Sequence, residues 1–248
     1  MIPSGLPPNF HTPTLPHSQP GEPVVRTLGL TRVYCSGARE VKALRGVDLT
    51  IPAGRFVAVR GRSGSGKTTL LNCIGGLDRP TGGEVYLEGQ PLSSLSEAEL
   101  TSLRRERLGF VFQSFALMPT FSAYENVALP LRIQGLGRVE RRERTLRALA
   151  VVGLRRWADH RPYEMSGGQQ QRVVIARALV TRPRLILADE PTGELDSETG
   201  RRIMALLQRI VEREHVTLVM ATHDPLVLEY ASLIYELEDG RIEHVVDR

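Results

Sequence analysis

The stretch that most narrows what this chain can fold into is GRFVAVRGRSGSGKTTLLNCIGGL, Gly54–Leu77: an apolar run, then a glycine-rich loop, then a helical run. Within it, Gly61–Thr68 fits the spacing G-x-x-x-x-G-K-[ST]. An apolar strand that feeds such a loop into a helix start belongs to an α/β fold. Gly61, Gly64 and Gly66 let the backbone wrap closely. The N–H groups of the loop, those of Arg62, Ser63 and Ser65 among them, then turn toward a phosphate chain at the positive end of a helix dipole. Thr68 is placed to give its hydroxyl to Mg2+, and Thr69 to support an α-phosphate. The lysine is informative in itself. The chain holds thirty arginines and only two lysines, yet the loop carries Lys67. It must reach the β- and γ-phosphates through a narrow gap that admits a compact ammonium and not a planar guanidinium fork. The loop alone specifies a nucleoside triphosphate and nothing finer.

Composition then removes other classes. At 248 residues the chain can bury a substantial core and fits one large α/β domain with subdomains. The 41% hydrophobic and 24% charged content is ordinary for a soluble globular protein. A net charge of +4, with arginines interleaved among acids, does not indicate nucleic-acid binding. Cys35 and Cys73 lie far apart with no Cys/His cluster, which reads as two reduced thiols in a cytosolic protein. No apolar run approaches the ~18 residues of a membrane span. Residues 1–23, rich in Pro and Ser without a basic start or an apolar centre, read as a disordered tail rather than a secretory signal.

From Val24 onward strand-like and helix-like segments alternate. VVRTLGLTRVY, ALRGVDLTI and EVYLEG read as strands, a helical middle covers roughly residues 96 to 180, and alternation resumes through RLILADE, SETGRRIMALLQRIVERE and VTLVMATH. The densest charge run, Arg138 to Arg147, reads as a solvated helix face. A second helix start falls inside the helical middle. In YEMSGGQQQR, Ser166 is a good N-cap residue, and Gly167, Gly168 and Gln169 leave a second set of bare N–H donors. One active site has no use for two phosphate cradles so far apart in sequence.

With Gly61–Thr69 upstream and LILADEP downstream, the chain from about Val24 to its C-terminus resembles the ATP-binding subunits of ABC transporters. MSGGQ looks like the family's signature, with Met165 where Leu is usual. LILADE looks like its Walker B strand, which implies that Asp189 orients Mg2+ and that Glu190 is the general base for the attacking water. GFVFQ puts Gln113 at the Q-loop position, also a Mg2+ contact. GELD puts Asp196 at the D-loop aspartate, and ATHDP puts His223 at the switch histidine. Tyr34 resembles the aromatic that stacks on adenine. Taken alone, His223 could be a core histidine closing a strand, Gln113 an exposed loop amide and Tyr34 a strand-end tyrosine; their order along the chain favours the functional reading.

The resemblance implies a P-loop NTPase (RecA-like) core with an N-terminal antiparallel β subdomain and an all-helical insertion, in an ABC ATPase domain spanning 24–248. It implies ATP and Mg2+ as ligands and a second copy of the chain as partner, the P-loop of one and Ser166–Gly168 of the other enclosing the same ATP. It also implies separate transmembrane permease subunits and a peripheral position on the cytoplasmic side of the membrane. GGLDRPTGGEVYLEG and HRPYEMSGGQQQRVVIARALV look most like the group of ATPases for lipoprotein release, macrolide export and division-linked signalling, the LolD, MacB and FtsE group. That group implies export or extraction, with mechanical regulation of a cell-envelope process as the alternative. Arg62, Arg55 and Glu194 depart from the usual residues at their positions. No long heptad segment accompanies the motifs, against a chromosome-structure ATPase, and a single cassette is present, against a translation-type one. The last apolar feature is SFALMPTFSAYE, Ser114–Glu125, which reads as the docking segment for the membrane subunit or as packing between helices and core.

Overall fold

The structure, a computed structural model, describes residues 23–37 and 39–248. The tail expected over residues 1–23 therefore lies outside the described residues except for Pro23, which opens the first strand. In chain order the elements are β1 (Pro23–Ser36), β2 (Arg39–Pro52), β3 (Phe56–Arg60), α1 (Lys67–Ile74), β4 (Gly82–Leu87), β5 (Gln90–Pro91), α2 (Glu97–Arg107) and β6 (Leu108–Val111). They continue with α3 (Ala123–Ile133), α4 (Arg138–Val151), α5 (Gly167–Leu179), β7 (Leu185–Asp189), α6 (Ser197–Glu214), β8 (Thr217–Thr222), β9 (Leu233–Glu238) and β10 (Arg241–Asp247).

The strands form two sheets. One is antiparallel, in the order β2-β1-β4-β5, and the other runs β10-β9-β3-β8-β7-β6. In the second sheet β3 pairs in parallel with β8 and β9, and β7 with β6 and β8; β10 alone is antiparallel. Its central strands are buried on both faces, which is why FVAV, LILA and TLVMA are continuous apolar runs rather than alternating ones. Period two still sorts their side chains. Ala58, Ile186, Ala188 and Met220 point into one core with α3, α4, α5 and α6. Val57, Val59, Leu187 and Val219 point into the other, beneath α1 and the antiparallel sheet. Five parallel strands thus present their C-terminal ends along one edge, the place where open α/β sheets hold ligands.

The stretch from 96 to 180 is not helical throughout. Leu108–Val111 is the edge strand β6 of the parallel sheet, and the buried Leu100 of α2 packs in the core beneath the antiparallel sheet rather than with α3, α4 and α5. Four apolar residues with no turn punctuation before them carry no periodicity that separates strand from helix. Arg138 to Arg147 lies on α4, where Arg138, Arg142 and Arg147 are exposed and Thr145 is buried. Cys35 and Cys73 are both free, Cys35 exposed and Cys73 buried, and burial pushes the Cys73 thiol up to about 12. Among the described residues no helix is long and apolar enough to cross a membrane.

Candidate functional site

The glycine-rich loop leaves the C-terminal end of β3 and enters α1 at Lys67. Gly66 precedes the helix at φ 105, and a Cβ there would stand 2.4 Å from the Ala43 carbonyl oxygen, so the position requires glycine. Gly61 is equally confined, since a Cβ would stand 2.2 Å from the Leu237 carbonyl oxygen. The turn after β9 braces the loop from behind, the Gly240 N–H donating to the Ser65 carbonyl at 3.0 Å. No side chain caps α1, so its first N–H groups stay open. An open pocket of about 550 Å3 lies over Gly61–Ser65, His223 and the end of β9.

Lys67 is almost fully buried. Its Nζ donates to the carbonyls of Gly61 and Arg62, each at 2.9 Å, and lies 3.8 Å from Glu190 Oε1. The neighbouring strand ends supply the rest. β8 lies between β3 and β7, so Asp189, Glu190, Thr222 and His223 converge on the loop. Glu190 takes φ 46, a left-handed conformation that a non-glycine residue keeps only where its surroundings enforce it. Here the Glu190 N–H donates to the Ala221 carbonyl at 2.9 Å, and its carbonyl accepts from Gly193 at 3.0 Å. Glu190 Oε1 is 2.9 Å from His223 Nδ1, and Oε2 accepts from Thr222 Oγ1 at 3.4 Å.

Burial raises the Asp189 pKa, opposed by a hydrogen bond from Thr68, and its Oδ1 is buried with no partner. A buried, unpartnered carboxylate oxygen beside a hydroxyl is a hard-oxygen donor pair suited to a divalent cation. Among the described residues no group of three or more His, Cys, Asp or Glu could hold a metal by itself. Gln113, exposed just beyond β6, lies against Gly193, the residue whose N–H the Glu190 carbonyl accepts, its Nε2 being 3.3 Å from where a Cβ on Gly193 would stand.

Ser166–Gln169 form a separate cluster. Ser166 Oγ accepts from the Gln169 N–H at 3.4 Å, while Gln169 Oε1 accepts from the Ser166 N–H at 2.9 Å, a reciprocal cap on α5. A Cβ on Gly168 would stand 2.5 Å from Thr199 Cγ2, and one on Gly167 3.4 Å from Leu195. The start of α5 therefore packs beside α6, whose own cap is Asp196. That carboxylate accepts from Thr199 at 2.9 Å and Glu198 at 3.1 Å, bonds that hold its pKa down. Among the described residues no hydrogen bond or ion pair joins Ser166–Gln169 to Gly61–Thr69.

Tyr34 stands apart from both clusters on β1. The Arg32 guanidinium lies 4.5 Å over its ring, and its hydroxyl donates to Asp78 Oδ2 at 2.6 Å. Arg32 also pairs with Asp78 at 2.7 Å. Arg32 and Asp78 carry no motif and were invisible to sequence reasoning. Gly193 was equally silent, its only trace being a place in the turn after ADEP.

A glycine loop on β3, an acidic pair ending β7, a histidine after β8 and a capped glycine start on α5 together define an ATP-binding cassette. The chain matches the ABC transporter family over residues 44–193 and belongs to it. It is an ATPase with a P-loop NTPase core and an antiparallel β subdomain, the ABC ATPase fold. It is 47% identical over 224 residues to an uncharacterized ABC transporter ATP-binding protein, MJ0796 of Methanocaldococcus jannaschii, covering 89% of this chain and 95% of the relative. It is also 47% identical over 221 residues to the lipoprotein-releasing system ATP-binding protein LolD of Chromohalobacter salexigens, covering 89% and 93%. The macrolide export ATP-binding/permease protein MacB of Wolinella succinogenes is 46% identical over 223 residues, and the match spans 34% of that longer relative. Among solved structures, the dimeric post-hydrolysis state of MJ0796 bound to ADP and Pi is similar, with a TM-score of 0.82 at 46% identity, covering 90% of this chain and 98% of that one.

Proposed function

We propose that this chain is the ATP-hydrolysing subunit of an export or extraction complex, that two copies close head to tail around two ATP molecules, and that closure drives a separate membrane permease. The observation that carries the reading is the separation within one chain of two phosphate cradles. The loop at α1 gathers Lys67, Asp189, Glu190 and His223, while Ser166 at the start of α5 is exposed and, among the described residues, no hydrogen bond or ion pair ties it to that group. A second copy turned end for end supplies the missing half of each site. The similarity to LolD, of a lipoprotein-releasing system, and to MacB, a macrolide export protein, supports export or extraction, and the dimeric MJ0796 structure supports pairing. The family and the LolD relative support a place at the cytoplasmic face of a membrane, held there by the permease.

Phosphoryl transfer to water asks mainly for positioning and charge neutralisation. Lys67, held by two loop carbonyls, exchanges them for β- and γ-phosphate oxygens, and the open N–H groups of Gly61–Thr69 hold the phosphate chain. Mg2+, when bound, would be held by Thr68, Asp189 and Gln113 and would neutralise phosphate charge. Glu190 accepts a proton from the attacking water, and His223, 2.9 Å from its Oε1, orients that carboxylate. Ser166 and the N–H groups of Gly167 and Gly168 cap the partner's ATP, Asp196 fixes the neighbouring loop, and Tyr34 stacks on adenine.

Glu190→Gln tests this reading. The variant keeps the size and one acceptor of the carboxylate but cannot take the proton. It should bind ATP as the parent does, lose at least ~100-fold in turnover, and run as a dimer on size exclusion with ATP and Mg2+. Fast hydrolysis by the variant would place the base elsewhere, and a monomer under all conditions would end the head-to-tail reading.

A further inference from the structure

Arg177 is the single charged residue in VVIARALV, Val173–Val180 of α5. Arg177 is half-buried, and among the described residues no hydrogen bond or ion pair joins its guanidinium to a carboxylate. Nη1 donates to the Ala116 carbonyl at 2.7 Å and Nη2 to the Phe115 carbonyl at 3.2 Å, while burial lowers its pKa. A half-buried cation whose hydrogen bonds, among the described residues, go to two carbonyls carries a desolvation cost that an apolar residue would avoid. The contact therefore calls for a use.

Both carbonyls belong to the loop that follows Gln113. Ala116 takes φ 46 there, a conformation that a residue with a Cβ holds only under constraint, and its carbonyl is one of the two that Arg177 binds. The same loop touches the other end of α5, since Phe115 Cζ is 3.8 Å from where a Cβ on Gly167 would stand. Gly167 in turn lies against Leu195, and Gln113 against Gly193. The contacts close a ring from Gln113 through Phe115 to Gly167, and back through Leu195 to Gly193. One end of the ring borders the chain's own P-loop site; the other is the cradle that faces a partner.

We infer that Arg177 is a positioning residue that couples the two ATP-handling ends of the chain: by binding Phe115 and Ala116 to α5, it makes the Gln113 loop and the glycines of the second cradle move as one body. This rests on the head-to-tail reading above. It concerns how strongly ATP bound at one end favours closure at the other, not ATP binding itself.

The test uses the full chain in a Glu190→Gln background, where the closed dimer accumulates. Two quantities are read: ATP affinity of the dilute monomer by titration calorimetry, and the ATP concentration at half-dimerisation by size exclusion. Arg177→Met should leave the first unchanged and raise the second about tenfold. Arg177→Lys, which keeps the charge and one carbonyl bond, should fall between. Phe115→Leu should raise the midpoint in the same direction, and the double variant should exceed neither single change by much, because both act on one contact ring. Val173→Ala, a buried truncation elsewhere on α5, is the control for general destabilisation. An unchanged midpoint in Arg177→Met, or an equal shift in Val173→Ala, overturns the inference. If Arg177→Met does not fold, Arg177→Lys and Phe115→Leu decide by the same midpoint. Absence of any dimer in the Glu190→Gln parent would instead sink the head-to-tail reading, a different failure.

Discussion

Lys67 sits in a slot whose walls are main chain. Two carbonyl oxygens at 2.9 Å hold the ammonium, Glu190 Oε1 lies 3.8 Å away and the residue is only 6% exposed, so the slot accepts a round ammonium on a thin stem. A guanidinium is wider, and its fork would need both carbonyls to move. Lys67→Arg should therefore behave like Lys67→Ala and weaken ATP binding by roughly 10- to 100-fold, the worth of a charge-assisted hydrogen bond to phosphate. Titration calorimetry checks it, and near-parental affinity or turnover in the arginine variant would refute the steric argument. The residues of this scale that the sequence exposed are those whose chemistry demands one residue type at one spacing: Lys67, the two acids ending an apolar strand, the glycines. Arg32, Asp78 and Arg177 were not legible because the pairings of Asp78 with Arg32 and Tyr34, and of Arg177 with two carbonyls, join segments far apart along the chain and follow no spacing rule.

Three helices begin with the same device. Ser96 with Glu99, Ser122 with Glu125 and Ser166 with Gln169 each form a reciprocal cap. Equal caps with unequal surroundings give a clean comparison. Ser96→Ala and Ser166→Ala should each cost about 1 kcal/mol of stability, read as similar shifts in thermal midpoint. Only Ser166→Ala should also weaken ATP-dependent dimerisation, because its hydroxyl alone lies on the proposed closing face. Equal dimerisation in the two variants would reduce Ser166 to a cap. Of the three, only Ser166 was read from the sequence as a cap, and the 18-residue α6 coincides with the run SETGRRIMALLQRIVERE. Strand β6 was hidden because its four residues follow α2 without a turn, so only pairing with β7 reveals what they are.

At the scale of the molecule, the packing of the loop after β3 against the end of the neighbouring strand β9 and its turn is set by contacts between distant segments, such as Gly61 against Leu237 and Gly240 against Ser65, and no local pattern announces them. The segment Ser114–Glu125 shows what such contacts decide. Phe115 and Leu117 pack against the core of α3, α4, α5 and α6, which answers half of the question its apolar composition raised. Met118, by contrast, is 46% exposed, and Phe121 is half-buried without joining either core. Their backbone is held all the same. The fully buried Asn126 accepts from the Met118 N–H at 2.8 Å and donates to the carbonyls of Met118, Phe121 and Ser122. An exposed methionine on a backbone fixed this firmly is a preformed contact for another protein, reached without the ordering cost of a loose loop. Met118→Asp and Phe121→Asp should therefore leave thermal stability and basal ATPase close to the parent's while preventing co-purification with the membrane subunit from solubilised membranes. Unfolding of both variants would assign these side chains to the interior, and normal co-purification of both would move the docking surface to another face of the chain.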